Sequence, residues 1–478
     1  MTKIIEPPFC LGYVCDTYLN VMIAALDLLQ KYNVPVPRYT SYPTVPYWKE
    51  GMATSDWNAA WLRCFSEVNA REGIALYLHL PFCESLCTYC GCNKRITTNH
   101  NVEEEYISAL LAEWALYRLQ MPDAPVVRSL HLGGGTPTFF SAQRLEYLLD
   151  KLLDGCELHP QHEFSVEAHP LNTTVAHLRV LYNKGFRRLS LGVQDNDPLV
   201  QRIINRMQPF ETVELVTQQA RDIGYTSVNY DLIYGLPLQT LDSMAHTVLD
   251  CISLRPDRVA FYSYAHVPWT AKGQRLFDES DLPPAELKLE LYHLGKQLFL
   301  ENGYEDVGMD HFALPDDELC MAKIEGRLHR NFMGYTVSDS PLLLGLGVSA
   351  ISGSNDAFAQ NDKTLEGYYR SVRENILPIR KGYLLDHRDL SCKKYILDIA
   401  CKGRTRLLGA DLDWLKEYTL PELRGLEADG LVTLQGNVLT VTHIGKQFIR
   451  NVCSAFDMKL QAQRREGGGT RPMNARAV

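Results

Sequence analysis

The sequence contains no uncharged apolar run of 18 residues, so a helix that crosses a membrane is not expected. It also lacks a basic excess. Its 48 Lys and Arg against 57 Asp and Glu leave a net charge of −9, which argues against a nucleic-acid partner while leaving room for a local basic pocket. The short apolar stretch at 21–29 is interrupted by Asp27 and has neither a strong basic leader nor a clean small-residue cleavage site, so no signal peptide is expected. Met22 stands directly before a helical pattern and is a candidate start, leaving residues 1–21 as an uncertain N-terminal extension. No repeat of fixed period is present. A disulfide framework is missing too: the 13 cysteines are odd in number and four fall within ten residues, whereas secreted disulfide domains spread an even set over a short chain. Clustered thiols point to metal or redox chemistry in a reducing cytoplasm.

With 46% apolar and 22% charged residues over 478 positions, the chain has enough material for one large domain and one or two small ones. Four prolines within 31–46 give an extended arm, followed by a helix at 55–70. Strand patterns then recur at 74–80, 127–132, 163–168, 188–193, 227–233 and 258–264, with helical periodicity between them, as at 102–119, 142–153 and 211–223. Six strand–helix units in a row predict an α/β fold, a partial parallel (β/α)6-type barrel. Past about residue 380 the alternation stops. Helices at 392–402 and 412–429, the second with a break at Pro421, a hairpin turning at Gly436-Asn437 and a helix at 444–460 suggest a small, mostly helical, winged-helix-like C-terminal domain. The expected divisions are 1–21, an arm with helices at 22–72, the barrel at 73–380, the C-terminal domain at 381–460 and a disordered tail at 461–478.

Polar groups stand at the ends of five successive strands: Cys83, the GGGTPT turn, Glu167, Gln194 and Asp231. Sites in parallel α/β folds form at the C-terminal ends of strands, so these residues read as one site. The cysteines follow a C-x3-C-x2-C spacing, Cys83, Cys87 and Cys90, with Cys92 two residues further on. Thiolates so placed are the usual ligands of iron–sulfur clusters. Three of them leave one iron of a four-iron cluster open, where S-adenosylmethionine can be chelated and reductively cleaved. Zinc is the competing reading, although zinc sites normally pair two separated C-x2-C knuckles. Cys92 stays outside the proposed ligand set.

The motifs RYTSYPT (38–44), LYLHLPFC (76–83), CGCNK (90–94), HLGGGTPT (131–138), SLGVQD (190–195), DLIYGLP (231–237), GMDHFALPDDEL (308–319) and LHRNFMGYT (328–336) together make the chain resemble the oxygen-independent coproporphyrinogen III oxidase family of the radical S-adenosylmethionine superfamily, from about 31 to 460. The resemblance implies a [4Fe-4S] cluster on Cys83, Cys87 and Cys90 and two molecules of S-adenosylmethionine. Tyr77, Gly134, Glu167 and Ile351 would surround the first molecule, and Tyr89 would pack on a cofactor. Gly135, Thr136, Gln194, Arg206, Asp231 and Ala265 would line the second. It implies no catalytic side chain. The reaction implied is decarboxylation of two propionates of coproporphyrinogen III to vinyl groups in haem synthesis, through a 5′-deoxyadenosyl radical. The partners implied are an anionic tetrapyrrole, a small flavodoxin- or ferredoxin-like electron donor and an external electron acceptor, with the chain a cytoplasmic monomer. Candidate propionate-binding cations are Arg38, Lys94, Arg206, His311, His329 and Arg330. Two positions depart from the family pattern: Asn196 stands where an aromatic is expected, and Ala168-His169 where Val-Asp is more usual. The rival reading is a haem-binding chaperone of the same family; the arm and the Cys-Gly-Cys favour the enzyme.

Overall fold

Apolar and polar residues alternate along each strand of the central sheet, and that alternation sets which side faces the helices and which faces a cavity. A computed structural model describes residues 27, 28, 30–269, 271–337 and 340–465 of the chain; the expected extension at 1–21 lies outside them. Helix α1 (Thr54–Val68) precedes β1 (Ile74–Leu80), and the order continues α2 (Val102–Arg118), β2 (Val126–Gly134), α3 (Ala142–Leu153), β3 (Glu157–Ala168) and α4 (Val175–Asn183). Then come β4 (Phe186–Gln194), α5 (Phe210–Ile223), β5 (Ser227–Tyr234), α6 (Leu241–Ser253), β6 (Arg258–Ser263) and α7 (Ala285–Glu301). The six expected strands are therefore all present. Thr240 shows how these helices start: its hydroxyl accepts from the Ser243 N–H at 3.1 Å while the Ser243 hydroxyl accepts from the Thr240 N–H at 3.0 Å.

Strands β1 to β6 pair in parallel in sequence order. Six further strands complete the sheet: β7 (Glu305–Gly308), β8 (His311–Ala313), β9 (Leu343–Leu346), β10 (Ile351–Gly353), β11 (Ala357–Asn361) and β12 (Ile379–Leu384). Strand β9 pairs parallel to β1, and β10, β11 and β12 follow antiparallel beyond it. On the other side β8 pairs antiparallel with β6. The two-residue strand Lys49–Glu50 forms the edge beside β12. Among the described residues no strand pair joins the two edges, so the pairing runs open, as a partial barrel.

Leu130, Leu132, Phe164, Val166, Leu189, Leu191, Val228 and Tyr230 are at most 1% exposed and pack with Leu110, Leu145, Leu178 and Val213 of the helices. Each such side chain contributes about 1.5–3 kcal/mol on burial. Their alternates Ser129, His131, Glu163, Ser165, Arg188, Ser190, Asn229 and Arg258 line the concave side instead. A parallel strand buried on both faces is apolar throughout; these are apolar on one.

The described chain falls into two compact units. The larger spans Tyr39–Gly403 rather than the expected 73–380. Residues of the arm join it because Trp48 stacks on Phe358 with ring centroids 5.1 Å apart and Lys49–Glu50 pairs with β12. Helix α8 (His387–Lys402) joins it because the Tyr335 hydroxyl donates to the Ala400 carbonyl at 2.8 Å. The smaller unit contains the described residues up to Arg38 and from Arg404. Its three strands, β13 (Arg404–Arg406), β14 (Val432–Gln435) and β15 (Val438–Val441), include the expected hairpin, and Gly436 takes the left-handed φ of 61° that the two-residue turn needs. Two helix expectations are corrected here. Pro421 does not break the segment at 412–429; it is preceded by a π turn, Leu415–Thr419, as a missing N–H allows. The single helix expected at 444–460 is instead a 3-10 turn, Gly445–Phe448, and two helices, Ile449–Ser454 and Met458–Arg465, the last reaching into the expected tail.

Candidate active site

The Cys83 loop and the Gly133–Gly135 turn are joined through backbone. Gly135 N–H donates to Leu80 O at 2.8 Å and Thr136 N–H to Phe82 O at 3.0 Å, while Phe82–Cys83 pairs with Arg95–Ile96. A Cβ on Gly135 would stand 2.5 Å from the Pro81 carbonyl oxygen, a backbone atom that cannot step aside. Gly135→Ala is therefore expected to push Pro81 and Phe82 away and misplace Cys83, with cluster content after reconstitution well below wild type. Iron and sulfide analysis of the purified variant checks it. Gly134 takes φ +115°, and a Cβ there would meet the His79 ring at 2.7 Å.

Each of the three thiols has a donor aimed at it. The Thr136 hydroxyl donates to Cys83 Sγ at 3.4 Å and Arg206 Nη1 to Cys87 Sγ at 3.6 Å. Burial still pushes Cys83 up to about 11. Cys90 is held down near 6, chiefly by the Cys92 thiol donating to it, with Lys94 close by; Cys92, the donor, is driven up and stands exposed. Such donors tune a cluster's potential. Three thiols on one loop, each with a donor aimed at it, are a donor set that fits a four-iron cluster, which takes one thiolate per iron.

Glu167, at the end of β3, accepts from Gly134 N–H at 3.1 Å and from His131 Nε2 at 3.3 Å. Since a carboxylate in this state only accepts, His131 carries its proton on Nε2 and takes the Ser165 hydroxyl at Nδ1, 2.7 Å away. Burial opposes the charge on Glu167, but the His131 bond and the Gly134 N–H outweigh it and hold the carboxyl below its usual range. Its side chain keeps 45% accessibility, toward the cavity of about 150 Å³ that it lines. The Tyr77 ring stacks on His131 at 5.8 Å, and its hydroxyl donates to His79 Nδ1 at 3.0 Å. His79 in turn gives its Nε2 proton to the Asn93 carbonyl at 2.8 Å, and burial keeps its imidazole neutral.

A second group gathers at the end of β4. A bulge between Gly192 and Gln194 re-aims the chain, and Gln194 sits at φ 69°, a left-handed conformation costing about 1–3 kcal/mol in a non-glycine residue. A Cβ on Gly192 would lie 2.7 Å from Gln194 Nε2 and 2.9 Å from Arg206 Nη2, so the two side chains converge there. Arg206 Nη2 donates to Gly192 O at 2.5 Å, but its Nε is buried without a partner. Asp231 accepts from Ser190 Oγ at 3.0 Å and Asn229 Nδ2 at 2.9 Å, and burial together with the Glu167 charge pushes it up to about 7. Gln274 Nε2 bridges Tyr89 O at 2.9 Å and Ala265 O at 3.1 Å. His169, a departure from the family pattern, is driven down to about 3 by burial and by the charge of Arg206.

Ile351 joins from the other flank. Its carbonyl packs on Gly345, which pairs with Tyr77. The turn before it is held by Glu113, fully buried, which accepts from Gly347 N–H, Tyr368 OH and Asn361 Nδ2, each at 2.7 Å. Burial outweighs these donors and raises Glu113 to about 7. A folded-state pKa above the unfolded value of 4.5 means the native chain binds the extra proton. Stability should thus fall as pH rises from 4.5 to 7, with a slope of at most about 1.4 kcal/mol per pH unit from this group. Denaturant titrations of wild type and Glu113→Gln across that range check it; the variant should lose that slope.

Of the fourteen cluster and cofactor residues singled out in the sequence, Tyr77 and Asp231 lie within β1 and β5, and the other twelve lie on the adjoining loops and strand termini. His131 was missed, though its alternation with Ser129 on an otherwise apolar strand was the available signal.

The family model for the radical S-adenosylmethionine superfamily matches residues 77–251 of this chain. The fold and this cysteine loop define the chain as of that class. It is 39% identical to the oxygen-independent coproporphyrinogen III oxidase of Escherichia coli (strain K12), over 92% of this chain and 96% of that protein, and 37% identical to its counterpart in Synechocystis, over 93% and 97%. The solved structure of coproporphyrinogen III oxidase from Escherichia coli, described as a radical S-adenosylmethionine enzyme, aligns with a TM-score of 0.83 at 37% identity, covering 88% of this chain and 97% of that one. The chain belongs to the family of oxygen-independent coproporphyrinogen III oxidases.

Proposed function

We propose that this chain decarboxylates two propionate side chains of coproporphyrinogen III to vinyl groups, yielding protoporphyrinogen IX for haem synthesis without oxygen. The observation that carries the reading is the backbone union of the thiol loop with the glycine turn, beside an ionised Glu167 on an open polar cavity. With cluster and S-adenosylmethionine bound, the cofactors would supply the hydrogen-abstracting power of a 5′-deoxyadenosyl radical at the propionate β-carbon, with carbon dioxide lost and the remaining electron passed to an external acceptor.

The protein's task is binding, orientation and exclusion of water. Cys83, Cys87 and Cys90 would hold the cluster. Glu167, Gly134 and the Ile351 backbone offer acceptors and a close approach to one S-adenosylmethionine, and Tyr77 and Tyr89 offer it aromatic surface. Gln194, Arg206 and Asp231, with Gly135, Thr136 and Ala265, would line a second molecule; the unpartnered Arg206 Nε supports a ligand there. The chain would act as a cytoplasmic monomer served by a small flavodoxin- or ferredoxin-like donor. No disulfide joins its described cysteines, and no described helix is long and apolar enough to cross a membrane.

An anaerobic assay of reconstituted protein with coproporphyrinogen III, reductant and S-adenosylmethionine tests this. Protoporphyrinogen IX should form with 5′-deoxyadenosine and methionine as co-products. Cofactor cleavage with no tetrapyrrole turnover would sink the proposed substrate.

A further inference from the structure

A second, larger cavity of about 1050 Å³ lies within the unit Tyr39–Gly403, at the opposite end of the strands from the cysteine loop. Arg71 and Glu72, just before β1, Arg128 near the start of β2 and Leu343 at the start of β9 place it at the N-terminal strand ends. Its size is at the upper end of ordinary ligand pockets, about 300–1,000 Å³. One wall is aromatic: Phe332 and Phe358 both line it and both pack on Trp48, at 5.9 Å and 5.1 Å. The rest is strongly cationic, with Glu72 and Asp398 as its acids, and Asp398 is taken up by Lys394 at 2.8 Å and Lys402 at 2.9 Å.

Arg330 is the outlier in this wall. It is 5% exposed, and its Nε and Nη1 are buried without any hydrogen-bond partner. Its guanidinium carbon stands 4.7 Å over the Tyr335 ring, and Tyr335 is itself pinned by its hydroxyl bond to Ala400. Stacking stabilises the flat face of a guanidinium and leaves its in-plane donors open. A buried guanidinium with two unpartnered donors is costly, and an anion drawn from the cavity to its edge would offset that cost. The cavity also adjoins the polar space inside the strands, because Asn331, Ser340 and Leu343 line both. That inner space holds Glu167 and Asp231.

We propose that Arg330 is a carboxylate anchor for the tetrapyrrole, gripping a propionate that does not react, with the aromatic wall against the ring edge. The inference rests on the substrate reading above and adds the residue that selects it: a ligand with several carboxylates on a large apolar body. Arg330 acts as a specificity determinant and takes no part in bond making.

The test uses the reconstituted holoenzyme with Arg330→Met and Arg330→Lys. Loss of the fork should raise KM for coproporphyrinogen III about tenfold to a hundredfold in Arg330→Met, the range for a charged hydrogen bond. The rise in KM should exceed any fall in kcat, cluster absorbance should stay at the wild-type level, and Arg330→Lys should lie between. An unchanged KM in a folded, cluster-bearing variant overturns the proposal; Arg330→Lys, which keeps the charge over Tyr335, decides the matter in the same way where Arg330→Met does not fold. Failure of the substrate reading looks different, because the wild type itself would turn over no tetrapyrrole. Fluorescence titration with coproporphyrin III then judges the anchor alone, and equal Kd values for wild type and variant overturn it.

Discussion

Cys87→Ala should bring turnover to background and leave reconstituted protein without a normal four-iron spectrum. Enzymes of this scale of difficulty accelerate their reactions by about 10⁶-fold or more, and here the reagent itself depends on three thiolates, so loss of one removes the chemistry rather than weakening it. The fold should survive, since Cys87 sits on a half-exposed loop and its thiol receives only the Arg206 bond at 3.6 Å. Circular dichroism should match wild type while iron content falls. The contrast is Cys92→Ala. Cys92 is exposed and acts as a donor toward Cys90, so that variant should still assemble four irons per chain. Iron analysis and electron paramagnetic resonance of the reduced proteins separate the two, and a Cys92→Ala protein without cluster would make Cys92 a ligand.

Arg258→Met should cost the fold about 3–5 kcal/mol, the price of stranding one member of a buried ion pair. Arg258 Nε sits 2.9 Å and 2.7 Å from the two oxygens of Asp317, and the side chains are only 4% and 6% exposed. Asp317 cannot turn to water, because it also caps the helix Glu318–Ile324 through Leu319 N–H at 2.7 Å. Arg188, in salt-bridge contact with Glu163 nearby, already feels the Arg258 charge: burial first, and Arg258 second, lower it to about 9. Thermal unfolding should shift down by roughly 5–10 °C. Replacing both members, as in Arg258→Met with Asp317→Leu, should recover much of the loss, because an apolar pair leaves no buried charge. A double variant no better than Arg258→Met would show that the helix cap outweighs the ion pair.

Much of this was legible in the residues. Strand periodicity placed β1 and helix α3 at their observed bounds and put the ends of β2 to β6 within a few positions, because long alternating segments report which side is buried. The strand-end rule pointed to Cys83, Glu167 and Gln194, which do stand at or just past strand ends, whereas Asp231 lies inside β5. The flanking strands β7 to β12 escaped: each is three to six residues long, and β8, β9 and β11 are buried at every position, which leaves little period to read. The interruption at Ala455–Asp457 is a tertiary effect, since Asp457 is fully buried and caps the following turn through Leu460 N–H at 2.9 Å. Arg330 appeared in the sequence as one cation among six; what marks it in the structure is two buried donors without a hydrogen-bond partner in the wall of the larger cavity. The bulge before Gln194 and the tautomer of His131 likewise depend on neighbours far away in the chain.

The joint between the Leu80–Phe82 backbone and the Gly135–Thr136 backbone bears on how the protein matures. Two amide hydrogen bonds and a two-residue strand hold that loop, and none of them involves sulfur or iron. These contacts are therefore open to the polypeptide whether or not iron is present. A chain that lost its cluster to oxidation would keep them, which is the first condition for refilling the same socket.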